Sequence, residues 1–114
     1  TFSIKPFPEG SYALGRHLLA QVEQLAREVK HGGYRSVELR AFTDNVFTAA
    51  FNAVLNQSRA QAVATQLGLD LAALKDTGVK ITIVTGLSVV LVSANATARG
   101  RAANRRVVAT LKAT

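Results

Sequence analysis

SVELRAFTDNVFTAAFNAVLNQSRAQAVATQL, residues 36–67, contains the change of period that decides the fold. From Ser36 to Phe42 the apolar Val37, Leu39 and Ala41 alternate with Glu38 and Arg40, the two-residue period of a strand with one face on a core. From about 49 to 67 the period becomes helical. Projected at about 100° per residue, Phe51, Leu55, Ala62, Val63 and Leu67 share one stripe, and the polar Gln57, Gln61 and Thr65 lie apart from it. Arg59 falls inside the apolar stripe. A guanidinium cannot shed its charge and is almost never buried unpaired, so Arg59 is expected to meet a carboxylate from this chain or from a ligand. Asp44, in the loop before the helix, is the local candidate. Asn52 projects only about 20° from Arg59, two turns nearer the helix start and on the same face.

Working outward, residues 2 to 8 alternate briefly and then meet two prolines, which predicts a short edge strand ending in a turn. Gly10-Ser11 is expected to open a helix from Tyr12 to Lys30, where Leu14, Leu18, Val22, Leu25 and Val29 step by three and four. His31-Gly32-Gly33 ends it, with glycine supplying left-handed C-cap geometry. The strand at 36–42 delivers Thr43-Asp44 at its C-terminal end, where open α/β sheets gather ligand-binding loops. The second helix is expected to stop near Gly68, with Leu69 to Thr77 as a connector holding at most one helical turn. Val79 to Thr85 is rich in β-branched residues and predicts a strand, and Leu87 to Gly100 reads as a long link. A last strand is expected at about 104–112, with Arg105 on the parity of Val107, Ala109 and Leu111, and Arg106 on the parity of Val108 and Thr110. The order β-α-β-α-β-β implies a two-layer α/β sandwich: a mixed sheet of about four strands with two main helices on one face. The right-handed crossover rule requires at least one parallel strand pair.

A chain of 114 residues that is 48% hydrophobic is expected to form one domain over 1–114, burying roughly two-thirds of its unfolded surface. There is no cysteine, and the histidines, His17 and His31, lack any metal-ligand spacing, so no metal or other cofactor is expected. The formal charge of +7 favours anionic partners: nucleic acid, acidic lipid headgroups or carboxylate-rich polymers such as cell wall. Arg99, Arg101, Arg105 and Arg106 suggest a phosphate-binding stripe, but no aromatic residues are interleaved with them for base stacking, which argues against nucleic acid. Ser11, Ser58 and Ser88 have no nucleophile context and no carboxylates pair for acid and base work, so an enzyme is not expected. The first residue is Thr1 and no apolar run approaches the ~18 residues of a membrane span, so any signal peptide, lipid anchor or membrane helix is expected outside this chain.

The residues Thr43-Asp44, Asn52, Leu55 and Arg59-Ala60, followed by Asn95, Thr97 and Gly100-Arg-Ala-Ala-Asn104-Arg-Arg-Val107, resemble the motifs of the OmpA-like domain. That family is the peptidoglycan-binding module of outer membrane protein A, peptidoglycan-associated lipoprotein and the flagellar stator protein. The spacings agree with its pattern: eight residues from Asp44 to Asn52 and fifteen from Asp44 to Arg59. The resemblance implies a noncatalytic periplasmic domain, attached to the outer or inner membrane through a segment not in this chain. It also implies a grip on the diaminopimelate of the peptidoglycan stem peptide, with Asp44 and Arg59 facing its zwitterionic end and Arg105 lining the site. The chemistry is coherent, because an amino-acid centre offers an ammonium and a carboxylate that one acceptor and one forked donor read together.

The family's Gly-His before Thr-Asp is Ala41-Phe42 here, its loop glycine is Phe47, and its Ser after Leu55 is Asn56. Two readings therefore stay open. Asp44 with Arg59 is either a ligand-reading pair or an internal salt bridge holding the loop on the helix. Asn52 and Thr43 are either ligand contacts or structural hydrogen-bonding residues, and Arg105 is either a site residue or a strand-edge charge. As a whole, the domain either anchors an envelope protein to peptidoglycan or has become a docking module among the proteins of a secretion, pilus or motor assembly.

Overall fold

The computed structural model describes residues 1–43, 48–84 and 97–114. The elements are β1 (Phe2–Ile4), α1 (Arg16–His31), β2 (Ser36–Phe42), α2 (Ala49–Ala73), β3 (Lys80–Ile83), α3 (Ala98–Asn104) and β4 (Arg106–Lys112). The four strands form one sheet in the order β1-β4-β2-β3. β2 and β3 run parallel, joined by the α2 crossover, while β4 lies antiparallel to both β1 and β2. The expected two-layer sandwich with a mixed sheet and a parallel pair is therefore present.

Register assigns the faces. Val37 pairs with Leu111 and Ile81, Leu39 with Ala109 and Ile83, and Ile4 with Val107. These residues point under the helices. Ile4, Val37, Leu39, Val107 and Ala109 join Leu18, Val22, Leu25, Ala26 and Val29 of α1 and Val63, Leu67 and Leu71 of α2 in one core, with Ile81 and Leu111 packed against it. The other parity of β2, with Glu38 and Arg40, lies on the opposite face, where Lys112 bonds Glu38 at 2.7 Å.

Several boundaries differ from expectation, each for a local reason. α1 starts at Arg16 rather than Tyr12, because Gly15 at its N-cap is extended (φ −71°, ψ 177°) and Ser11 Oγ instead accepts the Ala13 amide. Its C-terminus is as expected: Gly33 sits at φ +68°, the Tyr34 amide reaches Val29 O and the Gly33 amide reaches Lys30 O, a double closure that needs a left-handed residue. α2 runs through Gly68 to Ala73. Fully burying Leu71 is worth about 1.5–3 kcal/mol, more than the ~1 kcal/mol that glycine costs inside a helix. A methyl group added at Gly68 meets no atom within 4 Å. Gly68→Ala is therefore expected to raise stability by about 0.5–1 kcal/mol, read from the urea midpoint of unfolding.

The end of the expected 87–100 link is helical. Thr97 Oγ1 accepts the Gly100 amide at 3.0 Å and caps α3, so the element order is β-α-β-α-β-α-β rather than the one expected. Seven residues give less than two turns of periodicity, too few to separate a short helix from a loop by pattern. Residues 85–96, including most of that link and Asn95, lie outside the described residues. β4 begins at Arg106, leaving Arg105 as the C-cap of α3 instead of a strand residue. Arg106 is on the outward parity as expected, yet it is buried: it pairs with Phe42 across the strands and its Cζ lies 4.1 Å from the Phe42 ring centroid. Desolvation there pushes the Arg106 guanidinium pKa below its ordinary value.

Candidate functional site

β2 ends against the N-terminal half of α2, and this junction holds Thr43, Asn52 and Arg59 among the residues singled out by the sequence. Thr48 caps α2 by accepting the Phe51 amide at 3.2 Å. Along the helix that this cap opens, Arg59 faces inward with Leu55, Ala60 and Val63. Arg59 is fully buried, the largest buried side chain among the described residues. Its Nε donates to Ser11 O at 2.8 Å, Nη2 to Pro8 O at 2.9 Å and Nη1 to Thr43 Oγ1 at 3.1 Å. The Phe7 ring lies against it, 5.3 Å from Cζ to the ring centroid. These three acceptors are neutral oxygens on separate segments, and together they fix the plane of the guanidinium.

Thr43 is nearly buried, and its described role is through the side chain, as the acceptor of Arg59. Asn52 stands on the first turns of α2, its amide bonded to Thr48 O, on the Arg59 face. Arg105 is brought to the same place by a different route. The C-cap of α3 sets its backbone, Arg105 Nε donates to Phe7 O at 2.7 Å, and the Phe7 amide donates to Arg105 O at 3.0 Å. The structure thus brings Arg59, Thr43 and Arg105 together around residues 7–11. Asp44 and Phe47 lie outside the described residues.

Sequence reasoning misses the part played by Phe7, Pro8 and Ser11. They act largely through backbone carbonyls, which any residue possesses, so no residue-type signal marks them. The flanking Pro6 and Pro8 are the one hint, since prolines restrict their own and the preceding backbone. Among the described residues there is no His, Asp or Glu cluster that would hold a metal ion, and no helix is long and apolar enough to cross a membrane.

No protein-family model matches the chain, and no curated protein matches it. Solved structures do. The cell wall anchor of the T6SS from Pseudomonas aeruginosa is 28% identical over 98% of this chain and 80% of that one, with a TM-score of 0.72. The chain is similar to OmpA-like domains in fold. The peptidoglycan-associated lipoprotein from Burkholderia pseudomallei shares the fold at 24% identity and TM-score 0.75, over 98% of this chain and 91% of that one. The C-terminal domain of Helicobacter pylori MotB shares it at 17% identity and TM-score 0.76, over 98% and 84%. Within this fold, the motif residues Arg59 and Arg105 stand on separate elements and meet at one segment, a convergence that spacing alone does not reveal.

Proposed function

We propose that this domain of OmpA-like fold binds peptidoglycan without catalysis, taking the diaminopimelate of the stem peptide, and anchors an envelope protein to the cell wall in the periplasm. The observation that carries the reading is the convergence of two guanidinium groups, Arg59 and Arg105, on residues 7–11 beside the end of β2, each hydrogen-bonded to main-chain carbonyls of that segment. Forked cationic donors held in fixed orientation suit a ligand that carries carboxylates, and diaminopimelate is such a ligand. Asp44 is the acceptor for the ligand ammonium, Arg105 lines the approach, and Asn52 and Thr43 support the loop. The structural kinship to a T6SS cell wall anchor and to a peptidoglycan-associated lipoprotein supports the same assignment.

The test is cosedimentation with purified insoluble peptidoglycan, with albumin as the nonbinding control. The domain is expected to pellet with diaminopimelate-type material at low salt and less so as salt shortens the screening length toward roughly 3 Å at 1 M. Material with lysine in place of diaminopimelate retains the amine and lacks the adjacent carboxylate, so it is expected to retain little protein. Equal recovery in the supernatant with and without peptidoglycan would favour the second reading, a docking module for envelope proteins. One observation favours that alternative: Phe51 and Val54, at the start of α2, are 46% and 66% exposed.

A further inference from the structure

We propose that Phe7 is the positioning residue of the site, setting the placement of both Arg59 and Arg105; this rests on the binding reading above and assigns part of its geometry. Phe7 is fully buried in the core alongside Ile4, Leu18 and Val22, and it lies between Pro6 and Pro8, whose rings restrict the local backbone. From that fixed point it makes three contacts with the two arginines. Its ring faces the Arg59 guanidinium at 5.3 Å, its carbonyl accepts Arg105 Nε at 2.7 Å, and its amide donates to the Arg105 carbonyl at 3.0 Å. The next residues extend the platform, because Pro8 O and Ser11 O accept Arg59 Nη2 and Nε. Two cations, one on α2 and one at the end of α3, are thereby indexed to one short segment before α1, through neutral acceptors and an aromatic face.

The physical consequence is coupling. A guanidinium over a ring gains electrostatic attraction only while it stays within about 6 Å of the centroid, so the ring limits how far Arg59 can shift. The Phe7 carbonyl accepts Arg105 Nε in a hydrogen bond whose strength falls steeply with misalignment. Moving Phe7 therefore moves both arginines together, and a two-point reading of one ligand tolerates little change in their separation.

Phe7→Leu removes the aromatic face and keeps an apolar side chain; should it not fold, Phe7→Met fills the same space more adaptably. The first measurement uses the isolated, ligand-free domain: the Nε–H signals of Arg59 and Arg105 in nitrogen-15 NMR, assigned by their loss in Arg59→Lys and Arg105→Lys. Both are expected to shift and to lose at least tenfold in exchange protection in the Phe7 variant, while the amides of Val22 and Val29 stay protected. General loosening of the core is controlled by Leu67→Ala, which is expected to leave both arginine signals in place. The second measurement is retention on diaminopimelate-type peptidoglycan, expected to fall at least fivefold in the Phe7 variant and less in Leu67→Ala. Unchanged arginine signals in the Phe7 variant overturn the proposal, as do equal changes in Leu67→Ala. Failure of the unaltered domain to bind peptidoglycan overturns the functional reading instead, and the NMR measurement still decides the role of Phe7.

Discussion

Arg59→Ala is expected to lower the stability of the domain by about 3–5 kcal/mol, the largest effect of any substitution at the site. The side chain is fully buried, and its acceptors include Ser11 O, Pro8 O and Thr43 Oγ1. Truncation leaves these oxygens without their donor, of which the buried Thr43 hydroxyl costs about 1–3 kcal/mol when unmet and the part-buried Pro8 and Ser11 carbonyls less, and opens a cavity beside Phe7. Against a typical total of about 5–15 kcal/mol, this is a severe loss. Arg59→Lys separates charge from geometry. An ammonium keeps the charge but cannot present a planar fork to three oxygens that lie on different segments, so it is expected to fold better than Arg59→Ala and to bind peptidoglycan poorly. Urea unfolding midpoints beside pelleting assays decide this. Arg59→Lys with full binding would mean that charge alone suffices and the fork has no recognition role.

The legibility of the chain follows from where side chains carry the signal. β2 is readable to the residue because Val37, Leu39 and Ala41 must all face the helices while Glu38 and Arg40 must not. Arg59 is readable because it breaks an apolar stripe, and its burial follows from that stripe. The end of α2 is misplaced by sequence because Gly68 is a strong local stop signal, overridden by burial of Leu67 and Leu71 on either side of it. α3 escapes notice because a seven-residue helix with a glycine inside has almost no period. The platform of residues 7–11 is invisible for a different reason. Its contacts to Arg59 span 48 and 51 residues of sequence and run through carbonyls, so neither spacing nor residue type announces them. Arg105 enters the site through the family motif; its strand parity is irrelevant, because it caps α3 before β4 begins.

Asp44→Asn is expected to produce the largest loss of binding for the smallest loss of stability. The change is isosteric and removes one negative charge, so if Asp44 accepts the ligand ammonium, a charge-assisted hydrogen bond of about 1.5–3 kcal/mol is weakened to a neutral one. Retention on diaminopimelate-type peptidoglycan should then fall by roughly tenfold or more, since each 1.4 kcal/mol is a factor of ten. The alternative, an internal salt bridge between Asp44 and Arg59, predicts a different pattern, and a double-mutant cycle with Arg59→Lys separates the two. A scaffold pair couples in unfolding free energy, so the double variant loses less stability than the sum of the single ones. A ligand-reading pair couples in binding to one zwitterionic centre and is nearly additive in stability. Measuring both quantities for the four proteins gives both couplings from one set of samples. Asp44→Asn that pellets like the unaltered domain, together with strong coupling in stability, would remove Asp44 from the recognition surface and leave Arg59 as a structural cation.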